Sequence, residues 1–160
     1  MKKISFFIIL LIFSLVVTSC YYVVGIDFDE DTFKEEFALW KEKDLQNYSF
    51  TYNENTGRST KRTYDVVVRD GKKQPISSTE RIGSIEDVFD HIDELYQKYV
   101  ASGDYKGDVS FGVTYDSTYH YPNIMKLSID ETRYNSTFDI YEIVNIYSKT
   151  IKITAFKESK

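Results

Sequence analysis

Asp116, Ser117 and His120 are the one place in this 160-residue chain where an acid, a nucleophile and a base fall close together. In that combination they would suit acyl transfer, with the imidazole taking the serine proton while the carboxylate orients the ring. Their spacing denies them the geometry. The base must reach the nucleophile from one side and its orienting acid from the other, and successive residues of one tight turn do not allow both. Asp116 is expected instead to cap a turn by accepting backbone N–H groups. Tyr121-Pro122 should open the next strand, because proline can begin one. Tyr115, Asp116, Tyr119, His120, Tyr121 and Pro122 therefore read together as a turn motif. The carboxylate pairs Glu35/Glu36, Glu86/Asp87 and Asp93/Glu94 read as solvated helix faces. Asp27, Asp29 and Asp31 alternate like the start of a calcium loop. The sixth position, however, is Thr32 where Gly is needed, and the twelfth is Ala38 where Glu is needed. Two histidines make no zinc cluster, and the isolated glycines make no phosphate-cradling loop. The sequence offers no catalytic residue, no metal site and no cofactor.

Cys20, the only cysteine, is a different matter. Lys2 and Lys3 precede an apolar run from Ile4 to Val17, too short for a comfortable membrane span, and Val17-Thr18-Ser19 leads into the cysteine. This resembles the lipobox of bacterial lipoproteins, where the thiol receives a diacylglyceryl group and the signal is cut away before it. Residues 1–19 are then a signal peptide, 20–28 the lipidated cysteine and a short tether, and 29–157 a single domain. The expected location is the bacterial cell envelope, with the membrane held through diacylglyceryl-Cys20 and the choice of membrane left open. Each buried CH₂ contributes about 0.8 kcal/mol, so palmitate-class acyl chains need no basic surface to help them. None is offered: losing Lys2 and Lys3 takes the net charge from −5 to −7, and clustered cations for nucleic acid are missing.

The elements follow from periodicity. Phe33, Phe37 and Trp40 recur at helical spacing behind acidic residues that suit a helix N-terminus. Tyr48, Phe50 and Tyr52 alternate with polar residues as a half-buried strand, and Thr63 to Arg69 repeats the pattern. Asp70-Gly71 signals a tight hairpin, with Gln74 to Ser78 returning as a third strand. Ser84 caps a second helix whose stripe is Ile85, Val88, Phe89, Ile92, Leu95, Tyr96 and Tyr99, closed by Gly103. His91 lies beside this stripe and reads as a surface residue. Val109 to Tyr115 and Met125 to Ile129 alternate as strands. Asp130 to Thr137 reads as a polar loop, Phe138 to Tyr147 as a central or partly covered strand, and Ile151 to Ala155 as a short last strand. The fold expected is α+β: an antiparallel sheet of about five to seven strands with two amphipathic helices packed on one face.

Trp40, Asn47-Tyr48-Ser49-Phe50-Thr51-Tyr52, Val68-Arg69-Asp70-Gly71, Ser84-Ile85-Glu86-Asp87-Val88-Phe89, and Tyr115-Asp116-x-x-Tyr119-x-Tyr121-Pro122 before Ile129-Asp130 occur in a telling order. Together they resemble a family of bacterial envelope lipoproteins known only as a domain of unknown function, number six-one-seven-four. The resemblance implies an exported, lipid-anchored α+β domain and brings no activity. Relatives often carry a Cys pair where this chain has Asn53-Glu54-Asn55, and Gly where it has His120, which implies a positive φ at that turn. The function expected is a non-enzymatic binding or structural module for an envelope protein or glycan. The alternatives are a small-ligand (peptide or glycan) binding lipoprotein and an unrecognised envelope enzyme. If the helices cover the face bearing Phe50, Val66, Phe111 and Leu127, the opposite face, with Thr51, Arg69, Thr114, Lys126 and Tyr141, is the expected binding surface.

Overall fold

A computed structural model describes residues 28–57, 60–74, 80–103, 107–138 and 140–159. Cys20 and the signal segment lie outside the described residues. In order along the chain come α1 (Glu30–Glu42), β1 (Tyr48–Thr56), β2 (Thr60–Arg69), β3 (Lys72–Lys73), α2 (Ile85–Tyr96), β4 (Asp108–Tyr115), β5 (Pro122–Asn135) and β6 (Ile140–Glu158). The strands make one six-stranded antiparallel sheet in the order β3-β2-β1-β6-β5-β4. Two three-strand meanders are thus joined at the centre by the first and last strands.

Both helices start as their sequences dictate. Asp29 caps α1 by accepting from the backbone N–H groups of Asp31 and Thr32. Ser84 caps α2 by accepting from the N–H of Asp87. α2 buries Ile85, Val88, Phe89, Ile92 and Leu95, and its last turn widens into a π-helical segment, Gln97–Ala101. Gly103, at φ +64°, closes this segment with its N–H on the Val100 carbonyl. Phe89 is the hinge between layers, meeting Phe33 and Phe37 of α1 at ring distances of 5.4 and 4.5 Å. Beneath the helices, Phe50, Val66, Phe111, Met125, Leu127 and Ile151 are buried on one sheet face. At the far end of α1, Trp40 packs edge-on against Tyr48 and Phe156.

Asp70 and Gly71 have φ of +50° and +67° between the paired residues Arg69 and Lys72. This is the two-residue loop with both φ values positive that Asp-Gly favours. The third strand differs from the expected one: it is Lys72–Lys73, with the Gln74 N–H bonded to Val67 O, and residues 75–78 lie outside the described residues. A larger correction concerns the last third of the chain. Asp130 to Asn135 is strand and not loop, because β5 runs on to Asn135, and only Ser136 and Thr137 of that stretch lie in the turn. The two expected C-terminal strands are one 19-residue strand, β6. Two bulges explain the misreading. Near Ile129, β6 carries an extra residue between Asn145 and Tyr147, and near Thr51 it carries another between Thr154 and Lys157. Each extra residue switches side chains to the opposite face. Phe156 can therefore join Ile151 and Ile153 on the inner face, and Tyr141 and Ile143 turn outward. Ala155 sits in the second bulge at φ +53°.

Beyond the pair Asp130–Asn145 the two strands lose their neighbours, since β4 begins opposite Asp130 and β1 ends opposite Lys149. Residues 131–135 and 140–147 form a two-stranded arm projecting about 17 Å from the sheet at about 3.4 Å per residue. It is not a covered strand. Tyr141 and Ile143 are each 76% exposed, and Tyr134, Phe138, Ile140 and Ile146 are exposed as well.

Truncating Phe89 to Ala should cost about 3–5 kcal/mol, because its ring fills the space between both helices and the sheet. Ser84→Ala should cost about 1 kcal/mol through the lost cap. Urea titration of both variants checks the ranking, and equal, negligible losses would contradict it. Ala155→Gly should hold stability or raise it by up to about 1 kcal/mol, since glycine removes the left-handed penalty but gives the unfolded chain more freedom. Ala155→Val should lower it in the same titration.

Candidate functional site

The inner face of the sheet is apolar until it nears the C-terminal end of β1 and the middle of β6 paired with it. There Glu54 and Lys149 take inward positions, and both are buried. The pairing of β1 with β6 sets Lys149 opposite Thr56, one step from Glu54 on the same face. Glu54 accepts from the Tyr52 hydroxyl at 2.7 Å and faces the Lys149 ammonium at 3.4 Å. His91 comes down from α2, its Nε2 lying 2.9 Å from Lys149 Nζ and 3.9 Å from the Glu54 carboxylate. Its Nδ1 lies 3.4 Å from Glu94.

The protonation states follow. Burial raises the Glu54 carboxyl pKa, but the Tyr52 hydroxyl, Lys149 and His91 outweigh it and hold the group below the ordinary carboxylate range. Burial pushes the His91 pKa down, and the neighbouring Lys149 charge pushes it further. A neutral imidazole accepts from the ammonium at Nε2, so its proton sits on Nδ1 and is donated to Glu94. Burial likewise raises the Tyr52 phenol, so that it stays protonated and donates. The result is a chain of hydrogen bonds from Tyr52 to Glu54, from Lys149 to both Glu54 and His91, and from His91 to Glu94.

This cluster lines a cavity of about 440 Å³ between the β1–β2 hairpin, α2 and the segment 80–82. Tyr64, Ile82, Lys61, Arg62 and Arg81 complete its walls. His91 is therefore not the surface residue its sequence position suggests. Nothing in the helical pattern reveals this: it flanks the apolar stripe, and only the polar residues of the sheet below draw it inward. Glu54 and Lys149 were equally hidden, since each looks like a polar residue in an alternating strand.

The carboxylates need a second correction. Glu36 bonds His120 Nδ1 at 2.9 Å. Glu86 accepts from Trp40 Nε1 at 2.7 Å and from the Tyr48 hydroxyl at 3.2 Å, and Asp87 pairs with Lys73 and accepts from the Gly83 N–H. These three tie elements together and are not merely solvated. A second hollow of about 460 Å³ lies beside Trp40, Lys73, Glu86 and Asp87, groups engaged in the bonds just given. The turn behaves as its residues imply. Asp116 accepts from the N–H groups of Thr118 and Tyr119 at 2.9 and 2.8 Å, and β5 starts at Pro122. His120 has φ +66° and spends its imidazole on Glu36, so Ser117 has no base in this turn.

Thr51, Thr114 and Lys126 share the outer face with Arg69 and Tyr141 by strand register. They do not converge on one ligand. Arg69 pairs at one end of the sheet and Tyr141 sits on the arm at the other, about 50 Å away at strand rise. Thr51 is bonded to Asp65 and Thr114 to Asn123. Tyr147 stacks on Tyr99 of the helical layer, 5.1 Å between rings, and so belongs to the inner side.

Residues 32–146 match the family of unknown function DUF6174. The chain belongs to this family. No curated protein and no solved structure matches it. The DUF6174 match runs from α1 to the end of the arm, so it contains Glu54 and His91, while Lys149 comes from the β6 segment just beyond it.

The cluster makes stability pH-dependent with a definite sign. His91 is depressed from its ordinary 6.5, so the unfolded chain binds the proton more readily than the folded one. Its contribution is whole above about 6.5 and drains as the pH falls through the folded value. Glu54, depressed from 4.5, adds a further loss at lower pH. Urea midpoints taken at descending pH should begin to fall near 6.5 in the native chain. In His91→Gln the upper part of that fall should vanish and the lower part remain. Superimposable profiles would mean that His91 is not the group responsible.

Proposed function

We propose that this chain is a lipid-anchored protein of the bacterial cell envelope that binds a protein partner and carries out no chemistry of its own. The arm of β5 and β6 is the observation that supports this reading. Six large apolar side chains, including Tyr134, Phe138, Tyr141 and Ile143, stand exposed on it. A two-stranded ribbon is marginal in water by itself, and a patch of this kind is the mark of an interaction site. Its outer edges bond to no neighbouring strand among the described residues, which suits addition of a partner strand as well as burial of the rings. Aliphatic Ile140, Ile143 and Ile146 beside the aromatics favour a protein over a glycan, whose hydroxyls would leave them poorly matched. Lys126 and Thr114 lie on the same outer face, four and six residues along the strands from the base of the arm, and Thr51 and Arg69 lie farther still. Cys20, with the signal-like run before it, supports the lipid anchor and the envelope location.

The full-length protein in a bacterial host should incorporate labelled palmitate and partition into detergent, and Cys20→Ala should do neither. Label persisting on Cys20→Ala would overturn the anchor. Crosslinking in envelope preparations should join the native chain to a defined protein. Tyr141→Ser, Ile143→Lys and Lys126→Glu should weaken that capture, while Glu35→Lys on the exposed surface of α1 should leave it unchanged. Capture lost only in Glu35→Lys would place the surface on the helical side.

A further inference from the structure

We infer that the cavity between the β1–β2 hairpin and α2 binds a small molecule through an oxyanion group, a carboxylate or a phosphate, held by Arg62 and Lys149. This site is separate from the arm and does not depend on it.

Lys61, Arg62, Arg81 and Lys149 line the cavity against two carboxylates, Glu54 and Glu80, in a chain whose net charge is −5. A cationic hollow in an acidic protein concentrates anions. Neither Lys61 nor Arg62 has an ion-pair partner among the described residues, although Arg62 stands directly across from Glu54 in the β1–β2 register. Lys149 gives two of its three N–H bonds to Glu54 and His91, and the third has no partner among the described residues. Donors are therefore present at the floor and at the wall, and a guanidinium offers the paired N–H groups that match a carboxylate or phosphate.

Lys149 and Glu54 side chains are 9% and 10% exposed. A buried ion pair is seldom more stable than the apolar residues that could replace it. On a sheet face otherwise filled by side chains such as Tyr48, Phe50, Val66, Met125 and Leu127, the buried charges among the described residues cluster where the cavity opens. Glu54 and His91 together hold the ammonium, so the donor is preorganised and loses little freedom on binding. Tyr64 and Ile82 supply an apolar wall, and the Tyr52 ring lies 5.3 Å from that of Tyr64. This wall suits a ligand with a small apolar or planar part beside its anionic group. Among the described residues lining the cavity, Thr63 carries the one aliphatic hydroxyl, and it is bonded to Asn53, so the groups described are set up to bind.

The chain contains two histidines, and only His91 lines this cavity, which gives a built-in reporter and control. Full-length protein in detergent micelles, ¹⁵N-labelled at histidine, is titrated at neutral pH with sodium phosphate and, separately, with sodium acetate, against sodium chloride at matched ionic strength. Saturable shifts of the His91 ring nitrogens, with His120 unmoved, are expected for at least one oxyanion and not for chloride. The oxyanion that saturates identifies the group. Arg62→Gln, a change at an exposed position that should leave the fold intact, should weaken the saturating anion by about tenfold or more, the loss of one charge-assisted hydrogen bond. Lys152→Gln on the outer face, away from the cavity, should bind as the native chain does. No saturation with either oxyanion, equal shifts at both histidines, or unchanged binding in Arg62→Gln would each overturn the assignment.

Discussion

The burial of the α2 stripe against one face of the sheet is the constraint on which the rest of the molecule depends. Ile85, Val88, Phe89 and Ile92 are almost wholly removed from water over Phe50, Val66, Phe111 and Met125. Once the helix is seated, every polar group beneath it must find a partner. At its start, the Tyr48 hydroxyl accepts from the Ile85 N–H, while Glu86 collects Tyr48 and Trp40 and so pins α1. Midway, His91 reaches Lys149. At the end, Tyr96 and Tyr99 meet Phe111 and Tyr147. α1 adds its own cover by leaning on Phe89.

The two sheet faces handle polarity in opposite ways. Outside, neighbours across the strands satisfy one another: Thr51 with Asp65, Thr63 with Asn53, and Asn145 with Asp130 and Ser128. These bonds cost little beside water and leave few groups seeking a ligand. Inside, charges are gathered into one buried spot, where each must be held by another. The arm fits neither description, since its apolar side chains have neither a core nor polar cover.

Much of this was legible in the sequence, because helix stripes, caps and Asp-Gly are local signals. The stripe from Ile85 to Leu95, the Ser84 cap, the Asp116 turn and the alternation of β1, β2 and β4 all sit where periodicity put them. The last third was not legible for a physical reason. A bulge shifts the alternation by one residue, and neither Ile146 nor Ala155 is a glycine or proline that would announce it. The arm also violates the rule that apolar residues are covered, so its side chains read as a core strand. The buried cluster was hidden because Glu54, His91 and Lys149 are 37 and 58 residues apart along the chain, and only the sheet order and the helix crossing bring them together.

The strand order has a kinetic consequence. Asn53 and Thr154, bonded across the β1–β6 seam, lie 101 residues apart in sequence. A sheet whose central seam joins such distant segments has a high contact order and folds slowly, because the closure entropy is met before the contacts reward it. Until β6 arrives, β1 keeps an open edge with Tyr52 and Phe50 uncovered on one side. Loss of the C-terminal strand removes the middle of the sheet rather than its margin, and it leaves two unjoined fragments, neither with a complete core.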